Sequence, residues 1–449
     1  MERTTDMTKG STLKLMLTFA IPLILTNLGQ QLYMIVDAAI VGRGVGVRAL
    51  AAVGSADWSY WLILWTVAGI TQAFATFVSR YFGDKNYHDM NKTIAMSCII
   101  SLVVGIILTA SGLAAARPLL IALDTPGDII DDATVYLVTM ISGTLVVTAY
   151  NMASAILRAL GDGKSPFVAM IIAALLNVGL DLLFVMVFHW GVFGAAFASV
   201  SAQLVSFVYC LLRVKSIKCI KLCKETWKID LKLIKELLLF AIPLSLQYIV
   251  IALGGIILQS TINLQGSSFV AGFTAVNKLY GLFESTAISL GITFSTFFAQ
   301  NYGAGLFDRV RKGVRIGEKL CIVAALIVAT VMFLSGNFLI RIFLDVSKEG
   351  GPEAFEVAKK YLYYMLAFFI ILYLIYVYRN ALQAVGNSFW SMISGFAEFI
   401  VRVFMGKAVF AWLGVEVLYY VEPAAWIAAL AFVIIPYYIL RDKLLNESK

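Results

Sequence analysis

Charge is scarce in this chain. Only 14% of its 449 residues are Asp, Glu, Lys or Arg, while 61% are hydrophobic and the mean hydropathy is +0.87; a soluble globular domain carries about 25% charged and about 45–50% apolar residues. That balance excludes a water-solvated globule. Histidine is nearly absent too. His88 falls in a polar connection and His189 at the end of an apolar run, so no intramembrane metal cluster or histidine acid–base centre can be assembled. The chain also lacks a GxxxxGK[ST] phosphate loop, and with it a nucleotide motor of its own. The five cysteines, Cys98, Cys210, Cys219, Cys223 and Cys321, lie in apolar runs or in a basic connection; Cys219 and Cys223, four apart with no histidine nearby, read as ordinary reduced thiols. These absences argue against an enzyme and against cofactor chemistry. Any work the protein does must draw on an ion gradient or a partner.

What the sequence has in abundance is long apolar runs. They are continuous rather than alternating, so they read as membrane-spanning helices and not as barrel strands. Twelve candidate spans fall near 15–41, 49–78, 93–114, 134–157, 167–189, 192–212, 237–262, 268–299, 318–340, 361–383, 389–411 and 417–440. The N-terminal MERTTDMTKGST is short and polar, and the first run has no small-residue cleavage site, so it reads as a retained span. This gives an N-terminal segment 1–14, a first lobe 15–212, a basic linker 213–236, a second lobe 237–440 and a C-terminal segment 441–449.

Positive charge orients the spans. If the N-terminus is inside, the inner segments collect Arg3, Lys9 and Lys14; Arg80, Lys85 and Lys92; Arg158 and Lys164; Arg309, Arg311, Lys312, Arg315 and Lys319; Arg379; and Arg441, Lys443 and Lys449. The linker adds Arg213, Lys215, Lys218, Lys221, Lys224, Lys228, Lys232 and Lys235, interleaved with Ile, Leu and Trp227 as in a helix lying on the membrane face. The outer segments hold only Arg43, Arg48, Arg117, Arg341, Lys348, Lys359 and Lys360. Both termini are therefore expected in the cytoplasm of a cell-membrane protein. The net charge of +8 reflects topology and anionic-lipid contact, with no nucleic-acid partner.

The two lobes repeat one another. FAIPL at Phe19–Leu23 recurs letter for letter at Phe240–Leu244, Gly83 matches Gly303, and Gly161-Asp162 matches Gly386-Asn387. A six-span unit repeated in the same orientation predicts an all-α polytopic membrane protein of two six-helix lobes. A pseudo-two-fold along the membrane normal should relate them, an arrangement suited to alternating access. Pro22 and Pro243, at matched positions, should kink the first and seventh spans.

Two carboxylates stand out inside the first lobe. Asp37 and Asp181 both fall in the outer halves of spans that run outward, and Asn177 lies one helical turn before Asp181. An intramembrane charge costs roughly 2.5–3.5 kcal/mol on insertion scales, and a carboxylate removed from water is relieved by taking up a proton or a cation. At the repeat-equivalent positions the second lobe has Glu398 and Arg402, one turn apart and opposite in charge, read as a structural ion pair. Glu284 and Gln31 are candidates for a substrate cavity, with Lys278 off the face of Glu284. Asp57 with Trp58, Tyr60, Trp61 and Trp65 reads as an interfacial aromatic belt.

The stretches FAIPLILTNLGQQLYMIVDAAIVGR, LRALGDGKSP, NVGLDLLF, AVNKL and AQNYGAG, in that order, resemble the multidrug and toxic compound extrusion (MATE) family over nearly the whole chain. The resemblance implies a monomeric secondary antiporter that exports amphipathic, often cationic, small organic compounds in exchange for H⁺ or Na⁺, with no cofactor and with lipids as its surroundings. Within the family the chain resembles the DinF-like branch, whose coupling-ion site lies in the first lobe. That likeness marks Tyr33, Asp37, Asn151, Asn177, Asp181 and Ser199 as the coupling set, with Na⁺ possible at Asp37, Asn177 and Asp181; Ser199 keeps the hydroxyl of a family threonine. Two other readings stay open. One is a flippase of a lipid-linked precursor in the same wider fold, which predicts a strongly cationic cavity although only Lys278, Arg402 and Lys407 lie clearly within spans. The other is a non-transporting membrane scaffold, which leaves the buried carboxylates unexplained.

Overall fold

A backbone in hydrocarbon has no water to bond, so each apolar run must satisfy its own amides. In the computed structural model, which describes residues 4–444 apart from Asp124, Lys348 and Glu349, every regular element among the described residues is helical. Arg3, Lys348 and Lys449 therefore lie outside the described residues, as do the side chains of Trp58 and Lys443. The chain forms α1 (Thr12–Gly44), α2 (Val47–Gly83), α3 (Tyr87–Ala122), α4 (Ile130–Ser142), α5 (Thr144–Ala159), α6 (Lys164–Asp181) and α7 (Gly191–Lys215). After a basic connection come α8 (Leu231–Asn263), α9 (Ser267–Gly303), α10 (Phe307–Phe343), α11 (Gly351–Ala384), α12 (Phe389–Val403), α13 (Phe410–Leu413) and α14 (Val421–Leu444).

Among the described residues, ten stretches are long and apolar enough to cross a membrane, and α4 with α5, bent by 46° at Gly143, make an eleventh span. One of the ten, Phe389–Arg441, has 53 residues. At about 1.5 Å per residue a single helix of that length would be about 80 Å long, more than twice a hydrocarbon core of about 30 Å. It is two spans instead: the chain reverses at Gly414 (φ 72°), and α12 packs along α14. The total is twelve, six before the connection and six after it.

The chain divides into two compact units, Met1–Lys9 with Leu17–Ser245, and Gly10–Met16 with Leu246–Lys449. The division falls inside α8 rather than in the basic connection. In the first unit the polar turns segregate to two ends. At one end Arg48 reaches the Asp128 carbonyl at 2.6 Å. At the other, the Thr5 amide donates to the Leu160 carbonyl at 3.1 Å, and Asn91 bridges to the Cys219 carbonyl and the Lys221 amide at 3.0 and 2.8 Å. The basic clusters gather at this second end.

The repeated Gly-Asp and Gly-Asn landmarks are helix starts. Gly161 (φ 77°) and Gly386 (φ 92°) adopt a conformation that a side chain would resist. The next residue caps the following helix in each unit: Asp162 accepts from the Lys164 and Ser165 amides at 3.1 and 2.9 Å, and Asn387 from the Trp390 amide at 3.4 Å. Proline does not interrupt either of its helices. α1 is continuous through Pro22, where Thr26 donates to the Pro22 carbonyl at 2.8 Å, and α8 is continuous through Pro243.

The linker differs from the amphipathic helix expected of it. Residues 216–230 form successive turns. Their lysine spacing suits a helix, but the Asn91 side chain takes the Cys219 carbonyl and the Lys221 amide that a helix would need, and tertiary bonding overrides the local pattern. The far end is tied by Lys92, 2.5 Å from Asp230, whose other oxygen caps α8 through the Leu233 amide at 3.0 Å. The Lys92 hydrogen bond, and after it the Leu233 amide, holds the Asp230 carboxyl below its usual range. A carboxylate depressed in the folded state stabilises above its unfolded value, near about 3.9, and that contribution is lost as pH falls through the folded value. Hydrogen exchange across 216–230, corrected for its intrinsic pH dependence, is therefore expected to stay flat from pH 7 to 5 and to rise below about pH 4. In Asp230→Asn the same segment should exchange faster already at pH 7.

Candidate functional site

The first unit brings two of its helices together by the residues they present. Gly29 and Gly44 on α1 lie so close to Met170 and Met186 that an added Cβ at either would meet the facing side chain at 2.5 Å. Between these contacts Asp37 faces Asp181. One turn beyond each, Val41 and Val185 pack in the same buried cluster, and the aspartates share that facing orientation. The two carboxyl groups are within hydrogen-bond reach of one another.

Burial and bonding at this place are unequal. Asp181 is 0% exposed and neither of its oxygens receives a donor; Asp37 is half-buried, with Oδ1 likewise donor-free. Both groups are acceptors when ionised, so a hydrogen bond between them exists only if one carries a proton. Two bare carboxylates facing one another away from water repel strongly. The arrangement asks for a positive charge.

Asn177 and Ser199 complete the neighbourhood. Asn177, 1% exposed, donates its amide to the Ser199 hydroxyl at 3.2 Å, which leaves its own Oδ1 buried and unpaired one turn from Asp181. Tyr33, one turn before Asp37, lies within electrostatic range of Asp37, Asp181 and Asp57. These groups offer only oxygen to whatever sits among them, a donor set suited to a hard cation such as Na⁺ as well as to a proton. Among the described residues no cluster of three or more acidic, histidine or cysteine side chains forms a metal site. Asn151 donates its amide to the Val147 carbonyl of its own helix at 2.9 Å. Gln31 is half-buried two residues before Tyr33, on another side of α1.

Three features here were missed in the sequence. Gln203, one turn after Ser199 on α7, buries an unpaired Oε1, which the i, i+4 spacing from Ser199 signals. Tyr60, expected at the interface, is 5% exposed with an unpaired hydroxyl and lies within range of Tyr33, so it belongs to the interior of the unit and not to a belt. Third, the helix widens into a π-helical stretch at Leu182–Val187, directly after Asp181. Such stretches are rare and collect at functional positions. The second unit has its counterpart at Phe404–Val409, directly after α12.

At the matching place the second unit is closed by its own charges. Arg402 on α12 lies 3.3 Å from Glu398 and forks onto Glu422 of α14 at 3.0 and 2.8 Å, while Arg379 of α11 pairs with Glu398 and donates to Ser394 at 2.8 Å. Two guanidinium groups thus meet two carboxylates, and the sum is neutral. The helical pair Glu398–Arg402 is its longest link, because each partner finds better geometry on a neighbouring helix. Arg402 also donates to the Ile251 carbonyl of α8 at 3.1 Å. Glu284, midway along α9, accepts from Tyr376 at 3.1 Å.

Comparison with known proteins follows the same outline. The MatE family profile matches residues 22–183 and 243–406, one match in each repeat. Among curated proteins, the Probable multidrug resistance protein YpnP of Bacillus subtilis is 29% identical over 413 residues, covering 91% of each chain. The Probable multidrug resistance protein NorM of Thermotoga maritima is 23% identical over 423 residues, covering 89% of this chain and 88% of its own. Among solved structures, a MOP superfamily transporter from Pyrococcus furiosus, described as having a binding pocket of reverse polarity, superposes with a TM-score of 0.91 at 20% identity, covering 98% and 99% of the two chains. An outward-facing multidrug resistance MATE family transporter gives 0.89 at 20% identity, with coverage of 98% and 99%. At that identity the structural likeness establishes the fold.

Proposed function

Since the chain belongs to the MatE family of membrane transporters, we propose that it is a secondary antiporter of the cell membrane, exporting amphipathic, often cationic, organic compounds in exchange for H⁺ or Na⁺. The observation that carries the coupling reading is the face-to-face pair of half-buried Asp37 and fully buried Asp181, which has no donor from the protein on three of its oxygens. A proton or a cation between the two cancels their repulsion and lets α1 lie against α6. Its departure restores the repulsion, and the first unit then favours a form that admits water. Exchange requires the ion and the organic substrate to favour different states, since a ligand with equal affinity for both shifts nothing. Asn177, Ser199 and Tyr33 supply the remaining oxygens when Na⁺ is the ion, and α1, with Pro22 in its interior, is the element that moves.

The multidrug names of the relatives support organic compounds as cargo. The basic end of the first unit, with the N-terminal segment and the linker, supports a cytoplasmic placement of both termini and contact with anionic lipids. The monomer is the working unit in this reading. A lipid-linked precursor is the less favoured cargo, because Arg402 is neutralised by Glu398 and Glu422, Arg379 pairs with Glu398, and Lys278 is exposed.

Purified protein in vesicles tests the proposal. A fluorescent lipophilic cation should accumulate against its gradient under an imposed Na⁺ gradient or an imposed pH gradient, and the effective one names the coupling ion. If neither gradient moves any of a panel of such cations while labelled lipid-linked precursors cross, the flippase reading replaces this one.

A further inference from the structure

We propose that a line of buried hydroxyls in the first unit holds a file of internal waters, and that this file carries protons between the basic end of the unit and the carboxylate pair. The waters are argued from the packing alone; their role as a proton route rests on the transport reading. Thr93, Ser97 and Ser101 lie on α3, and Thr144 and Thr148 on α5, each at most 4% exposed. None of these hydroxyls finds a hydrogen-bond partner among the described residues. Serine and threonine in a helix commonly donate to the carbonyl one turn back. Nearby side chains that are exposed or half-buried do so: Thr109 to Gly105 and Ser111 to Ile107 on α3, and Thr134 to Ile130 and Thr139 to Val135 on α4, each at 2.7 Å. The buried ones, which lose most by staying unbonded, do not.

These hydroxyls are in line. Thr93, Ser97 and Ser101 recur every fourth residue and share one face of α3, with Gly105 next on that face. A Cβ at Gly105 would stand 3.5 Å from the Thr148 hydroxyl oxygen, so the line passes there to α5, where Thr144 lies one turn further on. It begins at Thr93, just after Asn91, whose side chain binds the basic connection. From Thr93 to Gly105 the helix rises about 18 Å, more than half of a hydrocarbon core of about 30 Å. At the far end Gly143, the residue before Thr144, packs on Val200 of α7, where an added Cβ would meet Cγ2 at 2.5 Å. Val200 follows Ser199, whose hydroxyl accepts from Asn177, one turn from Asp181. Gln203, one turn beyond Ser199, buries a further unpaired oxygen.

Water fits this spacing. Side chains one turn apart on a helix stand ~5–6 Å apart, too far for two hydroxyls to bond directly, and two hydrogen bonds of about 2.8 Å placed end to end span that distance. One water between successive hydroxyls satisfies both. Hydroxyl and water each donate and accept, so the line can pass a proton. Every oxygen takes a proton from one neighbour as it gives its own to the next, and a carboxylate of the pair receives the last. A bare Na⁺ is not served by such a line, because it needs several oxygens at once and each step offers a single hydroxyl.

Two methionines report on the file without any gradient or cargo. Met90 lies one turn before Thr93 and Met152 one turn after Thr148, on the hydroxyl face; both are buried, as are Met332 and Met365 of the second unit, which serve as controls. Brief X-ray radiolysis of the purified full chain in detergent and water labelled with heavy oxygen, read by mass spectrometry, should oxidise Met90 and Met152 with the label well ahead of the controls. In Thr148→Val, which keeps the shape of the side chain, the label at Met152 is expected to be lost while that at Met90 stays, and the thermal midpoint should fall because neighbouring hydroxyls lose a bridge. Ser97→Ala should lose the label at Met90. Native labelling at the control level, or labels unchanged in both variants, would overturn the file. So would a midpoint that rises in Thr148→Val, the result of removing a hydroxyl with nothing to bond. In vesicles Thr148→Val should slow accumulation driven by a pH gradient. If the labels behave as expected but that accumulation is unchanged, or only a Na⁺ gradient drives the native chain, the waters stand and the proton route falls. If neither gradient drives the native chain, the waters stand while the route and the antiport reading fail together.

Discussion

Replacing Asp181 by asparagine is expected to abolish uphill transport while leaving the protein folded. Asparagine has the shape of the acid and fills the same space at the end of α6. Its amide supplies what the native site lacks, a donor aimed at the Asp37 carboxyl, and so imitates the charge-cancelled pair permanently. Asp181 is fully buried with both oxygens unpaired, so removing its charge relieves a cost and takes away no partner. The thermal midpoint in detergent should therefore hold or rise. In vesicles the accumulation ratio of a lipophilic cation should fall to its equilibrium value under either gradient, while downhill movement persists. Unchanged uphill accumulation by Asp181→Asn would remove the pair from the coupling role.

The second large effect concerns stability. Arg402→Met strands Glu422 without a cation and leaves Glu398 with Arg379 alone, in a place where the side chains are at most 14% exposed. Breaking one member out of a buried charge network costs about 3–5 kcal/mol, because the survivors keep their charge without its partner. Arg402→Met combined with Glu422→Gln should recover most of that loss, since the pair leaves together and Arg379 and Glu398 still balance. Chemical or thermal unfolding in detergent, read as a double-mutant cycle, checks both statements. A silent single variant would mean that the network contributes no stability and that the second unit tolerates a net charge.

The contrast between the repeats explains why these two predictions differ in kind. Asn177 and Asp181 in the first unit correspond to Glu398 and Arg402 in the second, and a π-helical stretch follows each pair. On the proposed reading, the positive charge in the first unit comes from outside and can leave. In the second it is a guanidinium tethered to the chain and held by two carboxylates. If that reading holds, the same scaffold yields an exchangeable site in one repeat and a fixed one in the other.

The sequence by itself determined the spans and the repeat, because each is written in a short window. Apolar length requires a membrane helix, FAIPL recurs intact, and the Gly161-Asp162 and Gly386-Asn387 pairs recur at matching places. It also located Asp37 and Asp181, since a carboxylate within an apolar run is conspicuous whatever it faces. Only the tertiary structure decided which side chains meet. The contact of Asp37 with Asp181 depends on two helices, far apart in sequence, approaching at glycines, and the partners of Arg402 and Glu398 lie on α14 and α11, which no i, i+4 rule can supply. For the same reason the lysine pattern of 216–230 suggested a helix where Asn91 enforces turns, and Tyr60 was assigned to an interface when it lies buried. Side-chain periodicity fixes what one element presents, but the free energy of a buried polar group is settled by its neighbours on other elements, and those are a property of the packed fold.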